Sequence, residues 1–574
     1  MTPSAAERKV WDLGLKSDIG ADRHFRRRVL NALPDRFALP LAERYRALYM
    51  RAGLHVANQS FLDAQAVLSD TALRYAKSDD DLCAFAERRA RQCSKISARS
   101  RSPQTAFDLC SEIAAAVPIP TPDIDQGVTV AGAVARMSDA FWWRRGVRKT
   151  HGRNVEGAAI KLGLVSKRAG LYASDESVER RRQQKRRNRQ MLEAMLAVNE
   201  LQQEYTLAEL SDLSVSNPVI RRGELMTRIA GFEQVANAMG HVGLFITVTC
   251  PARMHARHSE SGEANEKYDG TTPREAQAYL SKLWAKVRAF SDRRGFGIYG
   301  FRIAEPHHDG TPHWHLLLFL HQQFVDAFTE KFRQSALECD GGERGAAEHR
   351  FKTVTIDKEK GTAAGYIAKY VAKNIDGFGV DVDLFGKDPK ASAARVDAWA
   401  ATWGIRQFQQ VGGPSVTVWR ELRRIHDEAG GVLESARKAA DAGDWAGYIQ
   451  AQGGPTLERK ARPVKLLKWT PAKKNRYGEE CGPEIAGVKC GDLMALSRVH
   501  VWNVQRGKKN GLVSSDTEGG KASGDDINGR AGATAPPSDC ENKSTAVFLI
   551  HSGATAPPWR PVNNCTPPPK VPDD

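Results

Sequence analysis

The chain has 574 residues, 41% hydrophobic and 26% charged, which is enough for several hydrophobic cores and predicts a globular protein of more than one domain. Its formal net charge of +16, with an isoelectric point near 9.4, indicates a polyanionic partner, because lysines and arginines displace counterions from phosphates. The sequence shows no apolar leader and no apolar run of about eighteen residues, so it indicates neither secretion nor membrane spanning and predicts a cytoplasmic protein.

The first predicted unit is a basic, mostly helical N-terminal region, residues 1–220, in which Ala, Leu and Arg recur with helical spacing. Seven of the ten residues at 180–189 are basic. Such a run is compatible with a solvated helix face and equally with a surface that follows phosphates. Trp142 and Trp143 could stack on bases, but tryptophans beside arginines are more often half-buried packing residues.

The hydrophobic periodicity changes in the second unit, residues 221–425. Predicted elements follow in the order strand, helix, strand, strand, helix and strand, at residues 243–250, 273–294, 297–305, 313–321, 324–337 and 350–357. This order predicts an α+β core of the ferredoxin-like, or RRM-like, type, an antiparallel sheet with helices on one face. A further helix is predicted at residues 362–374.

Two more units complete the chain. Residues 426–505 form a mixed C-terminal region. Residues 506–574 are rich in Gly, Ser, Asp and Pro, and GATAPP occurs there twice, from Gly532 and from Gly553. Because such a segment cannot bury enough apolar surface to offset its ordering, the sequence predicts a disordered tail.

The predicted strand at residues 313–321 opens with two histidines, His313 and His315, which share a face because residues two apart on a strand point the same way. The pair suits one divalent metal ion, although half-exposed strand histidines also show this spacing. A hairpin turn centred on Asp309 places Glu305 opposite His313, whereas one centred on Gly310 places it opposite His315. Two imidazoles and a carboxylate leave coordination positions open, which fits Mg²⁺ or Mn²⁺, and the ligand types leave Zn²⁺ open as well.

The predicted helix at residues 362–374 carries Tyr366 and Tyr370 on one face, with Lys373 continuing that face and Lys369 beside it. Tyrosines four apart most often form a packing stripe. A phenol can also attack a phosphodiester when a nearby cation activates it, since its ordinary pKa is about 10. A bound metal ion and the two lysines would supply such cations.

Residues 245–251 (FITVTCP), 305–319 (EPHHDGTPHWHLLLF) and 366–374 (YIAKYVAKN) together resemble the three motifs of rolling-circle replication initiators. More specifically, they resemble the phage replication gene A family of His-hydrophobic-His, two-tyrosine endonucleases. Residues 403–424 also resemble the segment that follows the tyrosines in that family. The resemblance covers residues 221–425, and three motifs in the same order are far more specific than one.

The resemblance implies a site-specific single-strand DNA endonuclease and ligase that acts at a phage replication origin. It implies that His313, His315 and Glu305 bind the metal and that Tyr366 and Tyr370 are the nucleophiles. One tyrosine would become linked to the 5′ end, leaving a 3′-OH for a polymerase. A host helicase, DNA polymerase and single-strand binding protein are implied as partners, because the chain has no GxxxxGK[ST] loop of its own.

Three other interpretations stay open at this point. A two-tyrosine transposase or plasmid relaxase would use the same chemistry. A non-catalytic protein that coats single-stranded DNA would need only the basic surface and aromatic side chains. A metal-dependent hydrolase of small molecules is the third, and the basic charge and paired tyrosines argue against it.

Overall fold

The computed structural model of the chain describes residues 20–32, 35–69, 78–117, 119–124, 127–357, 359, 361–375 and 388–507. All but the first two residues of the predicted tail, 506–574, lie outside the described residues, so its disorder stays a prediction. No helix among the described residues combines the length and apolar character needed to cross a membrane. The boundaries of the four predicted units also stay predictions.

The described helices are α1 (Gly20–Ala32), α2 (Asp35–Ser69), α3 (Asp79–Arg99), α4 (Pro103–Ala115), α5 (Val130–Met137), α6 (Ala140–Lys161), α7 (Asp175–Glu193), α8 (Leu207–Asp212), α9 (Pro218–Ala238), α10 (Pro273–Arg293), α11 (Val325–Leu337), α12 (Ala346–His349), α13 (Ala363–Ile375), α14 (Pro389–Trp403), α15 (Val416–Leu422), α16 (Gly431–Ala442) and α17 (Trp445–Ala451). The described strands are β1 (Met195–Asn199), β2 (Glu204–Thr206), β3 (His241–Val248), β4 (Tyr299–Pro306), β5 (Pro312–His321), β6 (Phe351–Thr355), β7 (Phe408–Val411), β8 (Val464–Trp469), β9 (Glu484–Cys490), β10 (Leu493–Leu496) and β11 (Trp502–Arg506).

The N-terminal region is mostly helical, as predicted, but its last part contains strands β1 and β2. They form a three-stranded antiparallel sheet with β11, from the far end of the described chain. The basic run at residues 180–189 lies on α7 and is exposed from residue 182 onward. Some of its arginines form ion pairs, such as Arg181 with Asp397 at 2.8 Å, so both interpretations of the run stay open.

Of the two neighbouring tryptophans, Trp143 is a packing residue. Its ring is fully buried in a cluster formed by α3, α4 and α6. Its indole Nε1 donates a hydrogen bond to the carbonyl of Met137. Trp142 packs against the same cluster. The packing interpretation therefore holds for Trp143, since a buried ring cannot stack on a DNA base.

The central sheet follows the predicted element order. Strands β3 to β6, with α10 and α11 between them, occur in the order β-α-β-β-α-β, and with β7 they form a sheet of order β6-β3-β5-β4-β7. Every neighbouring pair of strands is antiparallel. The α+β class and the antiparallel sheet are thus confirmed. The short edge strand β7 was not predicted.

Helices cover both faces of this sheet, whereas the sequence predicted helices on one face. The first face packs against α10 and α11, for example through Trp284 and Phe328. The second face packs against α9 and α13, for example through Phe232 and Ile367. The physical reason lies in β4 and β5, which are buried along nearly their whole length and therefore need apolar cover on both sides.

Helix α9 approaches α17 closely at Gly231, where an added Cβ would lie 2.6 Å from the Cβ of Trp445. We expect Gly231→Ala to force the helices apart and to lower the free energy of unfolding by about 1–3 kcal/mol. The matched control is Gly157→Ala on α6, where a Cβ would meet no atom within 4 Å. This control should be neutral, or stabilising by up to about 1 kcal/mol. Equal urea-unfolding midpoints for both variants would contradict the close approach.

Candidate metal centre and tyrosine helix

The hairpin between β4 and β5 sets the register of the site. Glu305 pairs with His313 across the two strands. The connecting loop is centred on Asp309, which was one of the two registers left open by the sequence. This loop is buried: the Asp309 carboxylate accepts a hydrogen bond from the Thr311 amide at 3.1 Å, and the carbonyl of Gly310 accepts one from the Trp399 indole at 2.7 Å. Both contacts hold the turn that places the carboxylate beside the histidines.

Glu305, His313 and His315 form a candidate metal centre. One potential ligand atom from each residue lies within 4.8 Å of the others. The Nε2 atoms of the two histidines are 3.0 Å apart, and Glu305 Oε2 lies 4.0 Å from the first and 3.9 Å from the second. Glu305 is fully buried, and an isolated buried carboxylate is costly unless cations or donors compensate it. Two imidazoles and one carboxylate converging in this way fit a divalent metal ion with open coordination positions.

Strand β3 orients His315. The imidazole Nδ1 shares a hydrogen bond of 3.0 Å with the hydroxyl of Thr247, and the ring stacks on Phe245 with 5.6 Å between centroids. With Nδ1 engaged, Nε2 is the nitrogen that points to the shared centre. Hydrogen bonds of this kind fix the tautomer and the orientation of metal-binding histidines. Thr247 was not predicted from the sequence, because only the pairing of β3 with β5 brings it opposite His315.

A second group of histidines lies directly beside the candidate metal centre. The His307 ring is 4.1 Å from the His313 ring and 5.0 Å from that of His255. Burial, with a smaller contribution from His255, lowers the pKa of His307 to about 3. Burial alone would raise the pKa of Asp309, but nearby His255 lowers it overall. His307 therefore packs against the centre as a neutral ring and adds no positive charge there.

Helix α13 presents both predicted tyrosines to the sheet face that carries the candidate metal centre. Ile367 and Val371 are buried and hold the helix against the sheet, while Tyr366 and Tyr370 occupy the adjacent face. The Tyr370 ring lies 4.2 Å from the His315 ring, and burial, together with the charge of Glu305, raises the Tyr370 pKa. The Tyr366 ring lies one turn away, 6.4 Å from that of Phe245. The helix backbone at 369 and 373 is described, but the side chains of Lys369 and Lys373 lie outside the described residues.

Asn374 links the tyrosine helix to the candidate metal centre. Its amide nitrogen donates hydrogen bonds to the Glu305 carboxylate and, at 2.6 Å, to the carbonyl of Tyr370. Its amide oxygen accepts one from Gln407 at 3.3 Å. Asn374 lies four residues after Tyr370, so helical spacing could have identified it. The sequence pattern instead indicated Lys373 as the continuation of that face.

The start of α13 is held by α9. The carboxylate of Glu233 accepts hydrogen bonds from the backbone amides of Ala363 and Ala364, at 2.7 and 3.2 Å. Two of the amides that a helix leaves without an intrahelical partner are satisfied in this way, and the negative charge is favourable at a helix N-terminus. The position of the tyrosines therefore depends on α9 as well as on the apolar contacts of α13.

Comparisons with known proteins identify the family. The family described as bacteriophage replication gene A protein (GPA) matches residues 69–378, which is more than half of the chain. The chain therefore belongs to the bacteriophage replication gene A protein family, which confirms the family that the three motifs indicate. The His-hydrophobic-His type stays a prediction.

Several relatives cover most of the chain. The replication gene A protein of Escherichia phage 186 is 42% identical over 390 residues, covering 65% of this chain and 56% of the relative. The replication protein of Haemophilus phage HP1 is 38% identical over 451 residues, covering 76% and 54%. A probable replication endonuclease from a prophage-like region of Salmonella paratyphi A is 35% identical over 375 residues, covering 62% and 47%. The chain thus spans about half the length of these relatives, and no solved structure matches it.

The hydrogen bond from Thr247 to His315 yields a testable prediction. Thr247→Val should weaken Mn²⁺ binding roughly 10-fold, because the His315 ring loses the partner that orients it. Isothermal titration calorimetry would measure this affinity. Thr353→Val on the neighbouring strand β6 is the matched control, since the Thr353 hydroxyl has no hydrogen-bond partner within the described part of the chain. Unchanged Mn²⁺ affinity in the Thr247 variant would rule out the orienting role.

Proposed function

We propose that the protein is a metal-dependent, site-specific single-strand DNA endonuclease and ligase that nicks a phage replication origin, so that it initiates and terminates rolling-circle replication. One observation carries the proposal: the Tyr370 ring packs against a centre of two histidines and a carboxylate in a chain of the replication gene A family. Relatives named replication gene A protein and probable replication endonuclease support replication, rather than transposition or conjugative transfer, as the process.

The arrangement of the sheet supports a ferredoxin-like core of the His-hydrophobic-His type. Across the sheet, the first four strands are β6, β3, β5 and β4, which are the fourth, first, third and second of these strands along the chain. Such an order results when the strand–helix–strand unit is split by an inserted hairpin strand, as in the β-α-β-β-α-β motif. In this core, the central strand β5 carries the histidines and the neighbouring strand β4 carries the carboxylate.

In the proposed reaction, Glu305, His313 and His315 would hold Mg²⁺ or Mn²⁺. Such an ion, when bound, polarises a phosphate and stabilises negative charge that develops on it. The phenol oxygen of one tyrosine attacks the phosphorus, and the bond from phosphorus to the 3′-oxygen breaks. The phenol proton is lost and the 3′-oxygen takes one up, which leaves a 5′-phosphotyrosyl link and a free 3′-OH. The raised pKa of Tyr370 means that its phenol needs a neighbouring cation before it can act as a nucleophile.

Two tyrosines suit a cycle that nicks twice. The first tyrosine stays attached to the 5′ end while the origin is copied, so a second nucleophile is needed when the origin is regenerated. Tyr366 and Tyr370 are one helical turn apart on one face, and a small shift of α13 or of the DNA would bring either phenol to the same phosphate. The phosphotyrosyl bond conserves the energy of the phosphodiester, so resealing requires no ATP. Lys369 and Lys373 remain proposed contributors to activation of the phenols.

The proposed cellular setting follows from the reaction. The nick supplies a primer end, so a host DNA polymerase, helicase and single-strand binding protein are the proposed partners. The place of action would be the cytoplasm of the bacterial host, where the phage genome is copied.

The metal centre can be tested apart from DNA binding. His313→Ala and His315→Ala should abolish nicking of a single-stranded origin oligonucleotide in Mn²⁺. Affinity for that oligonucleotide should change by less than about 3-fold, because basic side chains supply most of the binding free energy. His349→Ala, at an exposed histidine on α12, is the control and should nick normally. Parallel loss of binding and nicking in a folded variant would contradict the metal-binding role.

The two nucleophiles can be tested by covalent capture of labelled DNA on a denaturing gel. Tyr366→Phe and Tyr370→Phe should each retain some adduct, while the double variant should retain none. Strand joining should fall more than first-strand nicking in each single variant, because only joining needs both phenols. Tyr205→Phe on β2 is the control and should behave as wild type. An adduct that persists in the double variant would exclude both residues as the nucleophiles.

A further inference from the structure

Arg302 is a buried cation on the sheet face opposite the metal centre. It lies on β4, three residues before Glu305, and only 6% of it is exposed. Its guanidinium carbon lies 4.0 Å from the ring centroid of Trp314, so the two side chains stack. Its Nε is a buried atom that has no hydrogen-bond partner among the residues that the structure describes. Stacking on a ring satisfies the positive charge in part but provides no acceptor for the Nε–H donor.

Other buried arginines in this chain have acceptors. Arg350, only 3% exposed, donates to the Glu343 carboxylate at 3.2 Å and to three backbone carbonyls. Arg228, 8% exposed, lies 3.4 Å from Glu224. Among the described residues, no carboxylate lies within ion-pair distance of Arg302. A buried guanidinium without an acceptor is expensive, and this contrast indicates that its acceptor comes from a ligand.

Two exposed arginines act electrostatically on Arg302. Arg288 on α10 and Arg406, just before β7, add their positive charges to the effect of burial, which lowers the pKa of Arg302 to about 10. Within the described part of the chain, neither Arg288 nor Arg406 forms an ion pair. Three guanidiniums without a carboxylate repel one another, and an anion placed among them would remove that repulsion. This cluster, Arg288, Arg302 and Arg406, is called the arginine cluster below.

We propose that the arginine cluster binds a backbone phosphate of the DNA on which the metal centre acts, at a linkage other than the one that is cut. Guanidiniums bind phosphate oxygens through paired N–H donors, and phosphate is the anion that DNA offers. Naming DNA as the source rests on the proposed function, since inorganic phosphate offers the same chemistry.

The position of the arginine cluster suits this role. Arg302 and Glu305 are separated by about 10 Å along β4. They point to opposite faces, and only the short edge strand β7 lies beyond β4 on that side of the sheet. DNA held at the metal centre could therefore pass around β7 and reach the arginine cluster, which would fix the register of the strand relative to the tyrosines.

The first test separates ligand binding from a purely structural role. Arg302→Met keeps an apolar stem against Trp314 and removes the charge. Its melting temperature without ligand should equal or exceed that of wild type, because an unmatched charge is gone. Pyrophosphate should raise the melting temperature of wild type but not of this variant. Arg350→Met is the matched control and should melt lower, because the Glu343 carboxylate and three backbone carbonyls lose their donor. A similar fall for Arg302→Met would assign Arg302 a structural role and overturn the proposal.

The second test identifies the phosphate. Single neutral methylphosphonate linkages are moved along an origin oligonucleotide, and affinity is measured in EDTA so that binding is read without nicking. For wild type, one linkage outside the nick site should cost roughly 10-fold in affinity, as expected for the loss of a charged hydrogen bond. Arg288→Gln and Arg406→Gln should no longer respond to that linkage. Arg293→Gln, at an exposed arginine at the end of α10, is the control and should respond as wild type.

The outcomes of the second test also separate this proposal from the proposed function. An identical linkage profile for wild type and both cluster variants would overturn the proposal. Stabilisation by pyrophosphate without any sensitive linkage would assign the arginine cluster to free phosphate and overturn the DNA assignment. A cluster-dependent linkage in a protein that forms no covalent adduct with DNA in Mn²⁺ would support the phosphate site and contradict the nuclease function.

Discussion

The antiparallel pairing of β4 with β5 is the constraint on which the rest of the structure depends. A slip of one residue in this pairing would turn the side chains of one strand to the opposite face. The observed register places Glu305 beside His313 and His315 on one face. On the other face it places Arg302 over Trp314. The buried loop around Asp309 fixes this register, so residues that never touch a substrate decide where both charged sites lie.

Both faces of these central strands need apolar cover. On the second face, helix α13 provides part of this cover and also carries the two tyrosines. Helix α13 packs through Ile367 and Val371, and its N-terminus is held by Glu233 of α9. Asn374 then connects the helix to Glu305. Packing and the candidate chemistry are therefore coupled. A change that loosens α9 against the sheet would also displace the phenols from the candidate metal centre.

The two faces of the sheet carry unbalanced charges of opposite sign. On the one face, a fully buried carboxylate with two imidazoles favours a cation. On the other face, three arginines that form no ion pair with any described carboxylate would favour an anion. Buried charges such as Glu305 and Arg302 stabilise a fold poorly, because the desolvation of a charge can cost more free energy than an ion pair returns. A protein that holds a metal ion and a phosphodiester strand would be stabilised at both places by its ligands, and the overall basic charge would add long-range attraction for DNA.

The sequence by itself determined the local geometry of the site and the family. Alternation along a strand put His313 and His315 on one face, and a spacing of four put Tyr366 and Tyr370 on one helix face, because both periods are properties of the backbone. Only the tertiary structure decided between the two hairpin registers, covered the second sheet face, and brought Thr247, Asn374 and Gln407 to the site. These contacts join strands and helices far apart in the chain, and a pattern of local periodicity contains no information about such pairings.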